Sequence, residues 1–292
     1  MQEQLLRLGE RTLNCAVGPK NGPPLVLFHG VTRCWRDFNA LLPSLMEQWQ
    51  VFAPDHRGHG RSSRDLGDYR VVDYAEDAVS FLTHYVPSPA VVIGHSLGAM
   101  VSALVATQRP RQVRALILED PPGTTLGEGL QQSRFHLQFT NISRLIQVAH
   151  DVETLTLELG NMEVQHPKDG SVVRFRELRD PSALRFGAEC LLKLDPAALT
   201  PLVQGRWLEG IDWFEALSKI KCPTLLLRAD LACGGMLQEA DAARMTSLIP
   251  LCVCVDLPGV GHSVHSSQPT KMLSLIGNFL ERHQILLKQS DP

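Results

Sequence analysis

Six short apolar runs recur along the chain, each closed by glycine, proline or aspartate. They are PPLVLFHG (23–30), WQVFAPD (49–55), AVVIG (90–94), VRALILED (113–120), CPTLLLRAD (222–230) and LCVCVDLPG (251–259). Each is too short for a helix and lacks the alternation of a half-exposed strand, so each predicts a strand buried on both faces. Between them stand segments with helical spacing: Trp35 to Trp49, Val71 to Val86, Ser96 to about Arg109, and a last one from about Pro269. Pro87, Pro89 and Pro110 lie just beyond two of these, where a helix has to stop. The alternation predicts an α/β domain with a mostly parallel sheet and helices on both of its faces.

One region breaks the rhythm. From Pro121 to about Ser218 no clear strand is visible, only helix-compatible stretches such as GEGLQQSRFHLQFTNISRLIQVAHDVETLTLEL. The region has neither repeat nor low complexity, which predicts a packed helical cap domain (121–218) set into a core domain (1–120 and 219–292). HPKDGS (166–171) is its best candidate for an exposed loop. Ligands of open parallel sheets sit beyond the carboxyl ends of the strands, so such an insertion would roof the site.

Composition narrows the class. A chain of 292 residues with 44% hydrophobic content can bury a large core. Its 28 basic and 31 acidic residues leave a net charge of -3, which argues against a nucleic-acid partner. No run reaches the ~20 apolar residues of a membrane span, and the polar start MQEQLLRLGERTLN is unlike a signal peptide. The seven cysteines are odd in number and lack paired zinc spacing, so a cytoplasmic location is expected. Cys252 and Cys254 alternate within an apolar run, as two small residues on one face of a strand. Oligomeric state is not legible.

The chemistry concentrates in three turns. VVIGHSLGAMVSALVA (91–106) places Gly-His-Ser-Leu-Gly between a strand and a helix, a sharp turn that would expose the hydroxyl of Ser96 as a nucleophile. The helix start leaves the Leu97 N–H unpaired, available to an oxyanion. FHGVTRCW (28–35) ends an earlier strand, and the Val31 N–H is the expected second donor. His29 is read as a structural histidine of that loop, and Arg33, Trp35 and Arg36 as residues that could touch a substrate or simply be solvated. In LPGVGHSVH (257–265), His262 is the best general base for Ser96. His265 could form an H-x-x-H metal pair with it, but no further ligand cluster follows, so ordinary polar packing is favoured and no metal is expected. His95 is expected to face away from the serine.

Taken in order, FHG (28–30), PDHRGHGRS (54–62), IGHSLG (93–98) and PGVGHS (258–263) resemble the signature segments of the α/β-hydrolase superfamily. The resemblance spans most of the chain, leaves 121–218 unmatched, and implies an eight-stranded, mostly parallel sheet. It makes the PDHRGHGRS loop structural. It also implies a Ser…acid…His order, and here the acid departs from the commonest pattern. The usual acid follows the seventh strand, in a segment like G-x-x-D. In LLLRADLACGG (225–235) that place falls on Ala232, with Asp230 two residues early. In some dehalogenases and lactonases of the superfamily the acid follows the sixth strand, which here is Asp120 in LILEDPP. Asp120 is the favoured acid, Asp230 the main alternative and Glu239 a lesser one, while Glu119 is expected to point to the other face.

Serine rather than aspartate at the nucleophile position argues against dehalogenase or epoxide hydrolase chemistry and points to acyl transfer on a small-molecule ester or lactone, without nucleotide, flavin or metal cofactor. A ligand sensor with slow or no turnover, a carbon–carbon bond hydrolase and a perhydrolase remain open on the same residues. Phe135, His136, Phe139, Phe175, Trp207, Trp213 and Phe214 are candidate pocket residues, each equally able to serve as packing.

Overall fold

The computed structural model describes residues 1–285 except 65, 66, 88 and 128. All six predicted strands form: β3 (Pro24–Phe28), β4 (Gln50–Pro54), β5 (Ala90–His95), β6 (Val113–Glu119), β9 (Thr224–Ala229) and β10 (Cys252–Leu257). An N-terminal pair that the apolar pattern does not reveal, β1 (Gln2–Leu8) and β2 (Arg11–Val17), completes an eight-stranded sheet. β1 is an edge strand exposed along most of its length, so no buried face imposes an apolar period on its sequence. The order is β1-β2-β4-β3-β5-β6-β9-β10, antiparallel at β1–β2 and β2–β4 and parallel from β4 to β10.

The uninterrupted apolar runs have a direct cause. Val26, Val92, Leu116, Leu118 and Leu226 face one hydrophobic core, and their neighbours Leu25, Val91, Ala115, Ile117 and Leu225 face another. Alternate side chains leave opposite sides of a strand, so a sheet covered on both sides needs every position apolar. Helices Val71–Tyr85 and Leu97–Gln108 cover the first face, and the C-terminal helix Pro269–Arg282 covers the second.

Two expectations are corrected. Trp35 to Trp49 is not one helix but a 3-10 turn (Trp35–Phe38) and a four-residue helix (Leu42–Leu45). Pro43 lacks the N–H that a continuous helix would need to bond the carbonyl of residue 39. The segment between β6 and β9 is mainly helical (Phe135–Val148, Val152–Asn161, Pro181–Leu191 and shorter turns) but also holds a hairpin, β7 (Glu163–Gln165) with β8 (Val172–Arg174). Three-residue strands with one buried side chain, Val164, carry too little pattern to be seen in advance. HPKDGS is the connection between them, with its last four residues exposed. Phe135, Leu155 and Leu184 of this segment join the same apolar core as Val26 and Leu116, so the insertion is packed against the sheet. Among the described residues, no helix is long and apolar enough to cross a membrane.

Candidate active site

Register brings the chemistry together. β5 and β6 pair so that His95 lies opposite Glu119, and the chain beyond each leads directly to Ser96 and Asp120. The helix Leu97–Gln108 starts one residue after Ser96, so that residue must adopt a conformation outside both strand and helix: φ is 53° and ψ -116°. Gly94 and Gly98 make the turn possible by close approach. A β-carbon on Gly98 would collide with the Phe28 carbonyl, and one on Gly94 with the Gly98 carbonyl. The Ser96 N–H donates to the Glu119 carbonyl at 2.9 Å, tying the turn to β6. As the first helical residue, Leu97 has an N–H without an intrahelical acceptor.

Backbone strain marks the same place. Among the described residues, four non-glycine positions have positive φ: Thr32 (69°), Ser96 (53°), Asp120 (43°) and Gln284 (56°). Thr32 follows Val31, so three of the four belong to this site. Each such position costs about 1–3 kcal/mol and persists where the surroundings over-determine it.

Asp120 is fully buried. Its N–H donates to the Leu227 carbonyl at 2.8 Å, and its carboxylate accepts from the N–H groups of Ala229 (3.2 Å), Met236 (2.8 Å) and Leu237 (3.3 Å). Its remaining partner is the His262 imidazole, whose Nδ1 lies 2.6 Å from Oδ2. A proton on Nδ1 leaves the lone pair on Nε2, the tautomer a general base requires. Asp230 does something else. It caps the turn Leu231–Cys233 through the Ala232 N–H and holds the Gly259 N–H, both at 2.8 Å. Those two donors hold its carboxyl below the usual range. Glu239 is exposed in the first turn of the helix Glu239–Leu248.

A second acid–histidine pair lies beneath the first. His265 is completely buried, with Nδ1 2.8 Å from Glu119 Oε2, its backbone N–H 2.9 Å from Oε1, and Nε2 3.2 Å from Asp37 Oδ2. Burial alone would lower this imidazole, but the Glu119 and Asp37 carboxylates outweigh it and hold it up at about 10. Asp37, although buried, is driven well below the carboxylate range by His265 and Arg33. Asp37, His95 and His265 offer three potential ligand atoms within 4.8 Å of one another. A protonated His265 has no free lone pair to give a cation.

His95 does not face away from the site. Its ring packs against His262 and His265 at centroid distances of 4.5 and 4.7 Å, and its Nε2 lies 3.2 Å from the His262 carbonyl. Burial, helped by those two neighbours, keeps it well below the ordinary histidine value. His29 is structural: its Nε2 accepts the His56 N–H at 3.0 Å, so Nδ1 carries the proton and donates to the Gly30 carbonyl at 2.8 Å. Burial lowers it to about 4. In the PDHRGHGRS loop, Arg57 pairs with Asp77, and Asp55 accepts the Trp35 N–H at 2.8 Å.

Ser96, His262 and Val31 line one cavity of about 310 Å³, a size suited to a small organic molecule. Of the aromatic candidates, Phe135, Phe139 and Phe175 line it. Trp207 and Trp213 are core packing, and Phe214 lies 3.6 Å beneath the Arg244 guanidinium. His136 is not in the cavity wall. Arg33 is, while Arg36 sits 3.6 Å from Glu189.

The family model described as "Alpha/beta hydrolase family" matches residues 25–274. The chain belongs to the α/β-hydrolase family. This α/β-hydrolase is 26% identical over 275 residues to the 2-(acetamidomethylene)succinate hydrolase of Mesorhizobium japonicum, covering 94% of this chain and 93% of the relative. It is 26% identical over 271 residues to the 2-hydroxymuconate semialdehyde hydrolase of a Pseudomonas species, covering 89% and 87%. The structure of N-formylmaleamic acid deformylase from Pseudomonas putida superposes with a TM-score of 0.74 at 20% identity, over 94% of this chain and 100% of that one.

Three features escaped the sequence. The Glu119–His265 pair had a visible signal, since consecutive acids (ED) and an H-x-x-H segment supply two partners for two. The strained Thr32 and the cavity residues Arg134 and Arg179 had none, because no local pattern reports which way an inserted segment faces.

Proposed function

We propose that this α/β-hydrolase cleaves a carboxylic ester or lactone through an acyl-enzyme on Ser96. The observation that carries the reading is the His262–Asp120 pair at 2.6 Å, set beside a serine held at positive φ on the wall of one cavity. His262 Nε2 takes the Ser96 proton as Oγ attacks the carbonyl and returns it to the leaving oxygen. Asp120 keeps Nδ1 protonated and stabilises the imidazolium without accepting its proton. The N–H groups of Val31 and Leu97 receive the oxyanion. Water, activated by His262, then releases the acyl group.

In this reading residues 121–218 act as a cap over the strand ends, supported by Phe135, Phe139 and Phe175 in the cavity wall. A cytoplasmic location fits seven cysteines that are all unpaired. A second reading keeps every residue role and changes the bond to an amide. It is favoured by near full-length similarity to a hydrolase of 2-(acetamidomethylene)succinate.

A panel of p-nitrophenyl esters, lactones and activated amides tests both. Turnover of the wild type, lost in Ser96→Ala, is the expected result, and the preferred class names the bond. Ligand-induced thermal stabilisation without turnover of any class would replace the enzyme with a sensor.

A further inference from the structure

The cavity wall does not share the charge of the chain. The protein carries a net charge of -3, yet among the described residues no aspartate or glutamate lines the cavity, while Arg33, Arg134 and Arg179 do.

The three arginines are not equivalent. Arg134 is a strut: its guanidinium donates to the carbonyls of Pro167 and Leu231 at 3.0 Å and of Gly235 at 2.9 Å, joining the insertion to the loop after β9. Arg33 has a loose partner, Asp37, at 3.7 Å. Asp37 is already engaged by His265 on its other oxygen. Arg179 stacks 5.6 Å over the Phe175 ring, and among the described residues no carboxylate oxygen lies within ion-pair distance of it. Arg179 is an exposed residue at the cavity, and its guanidinium is disfavoured by the protein around it and by the Arg33 charge, which the adjacent Asp180 offsets only in part. Two like charges lining one cavity repel each other, and an anion held between them removes that repulsion.

We propose that the cavity selects an acyl substrate bearing a free carboxylate, held by Arg179 from the insertion and Arg33 from the loop after β3. This rests on the acyl-transfer reading of Ser96. Guanidinium forks suit a carboxylate because they present paired donors in one plane. Arg33 lies two residues after Val31, and its N–H donates to the Gly30 carbonyl at 3.2 Å. The loop that offers an oxyanion donor therefore also grips the anion, which sets the scissile carbonyl relative to the Val31 N–H.

The test compares mono-p-nitrophenyl glutarate with its methyl ester, which differ in the free carboxylate. The wild type should favour the acid by about tenfold or more in kcat/KM, the scale of one charged hydrogen-bonded contact. Arg179→Met should lower turnover of the acid at least about tenfold more than that of the methyl ester. An arginine that merely braces the insertion would lower both alike, and that result, or equal use of the two esters by the wild type, overturns the proposal. The two readings fail separately. Turnover of both esters that survives Ser96→Ala sinks the acyl-transfer reading, whereas Ser96-dependent turnover blind to the carboxylate sinks this one. Calorimetry with glutarate removes the dependence on turnover. Binding to the Ser96→Ala protein that weakens about tenfold in the Ser96→Ala/Arg179→Met double variant supports the proposal, and absence of binding overturns it.

Discussion

Two acid–histidine pairs stand side by side at the end of β6, in opposite surroundings. Glu119 and Asp120 are consecutive, and each meets one histidine of the same loop: His265 on the sealed side and His262 on the cavity side. On the sealed side the imidazole is enclosed by two carboxylates and stays charged. On the cavity side it has one carboxylate on Nδ1 and lines the cavity. One chemical pairing thus suits an anchor or, in the proposed reaction, a base, according to what lies on the far side of the ring.

Breaking the cavity-side pair should have the largest effect. Asp120→Asn should lower kcat by about 10⁴-fold, because an amide partner favours the wrong tautomer of His262. Circular dichroism of the variant should stay native, and a loss below about tenfold in steady-state assays would show that the pair does not orient the base.

The sealed pair should fail differently. Glu119→Gln removes one of the two carboxylates around His265, leaves Asp37 as its remaining countercharge, and should destabilise the fold by about 1.5–3 kcal/mol in urea titrations. Its effect on kcat, measured well below the unfolding transition, should be far smaller than that of Asp120→Asn. A mirror-image result, stable but inactive, would move the catalytic role to Glu119.

Titration sharpens the contrast. His265 is held at about 10 when folded against an ordinary 6.5, so the folded state binds the extra proton. Its stabilisation is complete below about pH 6.5 and disappears as the pH rises through about 10. The stability difference between wild type and His265→Gln should therefore shrink between those limits, by at most about 1.4 kcal/mol per pH unit. A difference that stays flat between those limits would mean that His265 is neutral in the folded protein. The smallest change is expected at Asp230, where Asp230→Asn should keep kcat and lower Tm slightly through loss of one of its two backbone contacts, since the amide keeps a single acceptor oxygen. An inactive, fully stable Asp230→Asn would make it the acid after all.

Much of this was written locally. A strand buried on both faces must be apolar throughout, so β3, β4, β5, β6 and β9 announced themselves, whereas the edge strand β10 is only half-buried, and the turn around Ser96 needs glycines wherever carbonyls approach. β1 and the β7–β8 hairpin stayed hidden because exposed or very short strands carry no such constraint. Spacing favoured Asp120, because Asp230 falls two residues before the usual place, but spacing does not show which carboxylate turns toward His262.

Tertiary structure decided what depends on direction rather than order. It placed Asp120 under three backbone donors with His262 as its fourth partner, and turned Asp230 into a cap. It also set Arg33 and Arg179 on one cavity although they lie far apart in the chain. The amino-acid sequence on its own determined the parallel part of the sheet, the sharp turn at Ser96 and the histidine loop, because burial and close approach act residue by residue. The choice of acid and the charge of the pocket belong to the fold, since both arise from which side chains distant segments turn toward each other.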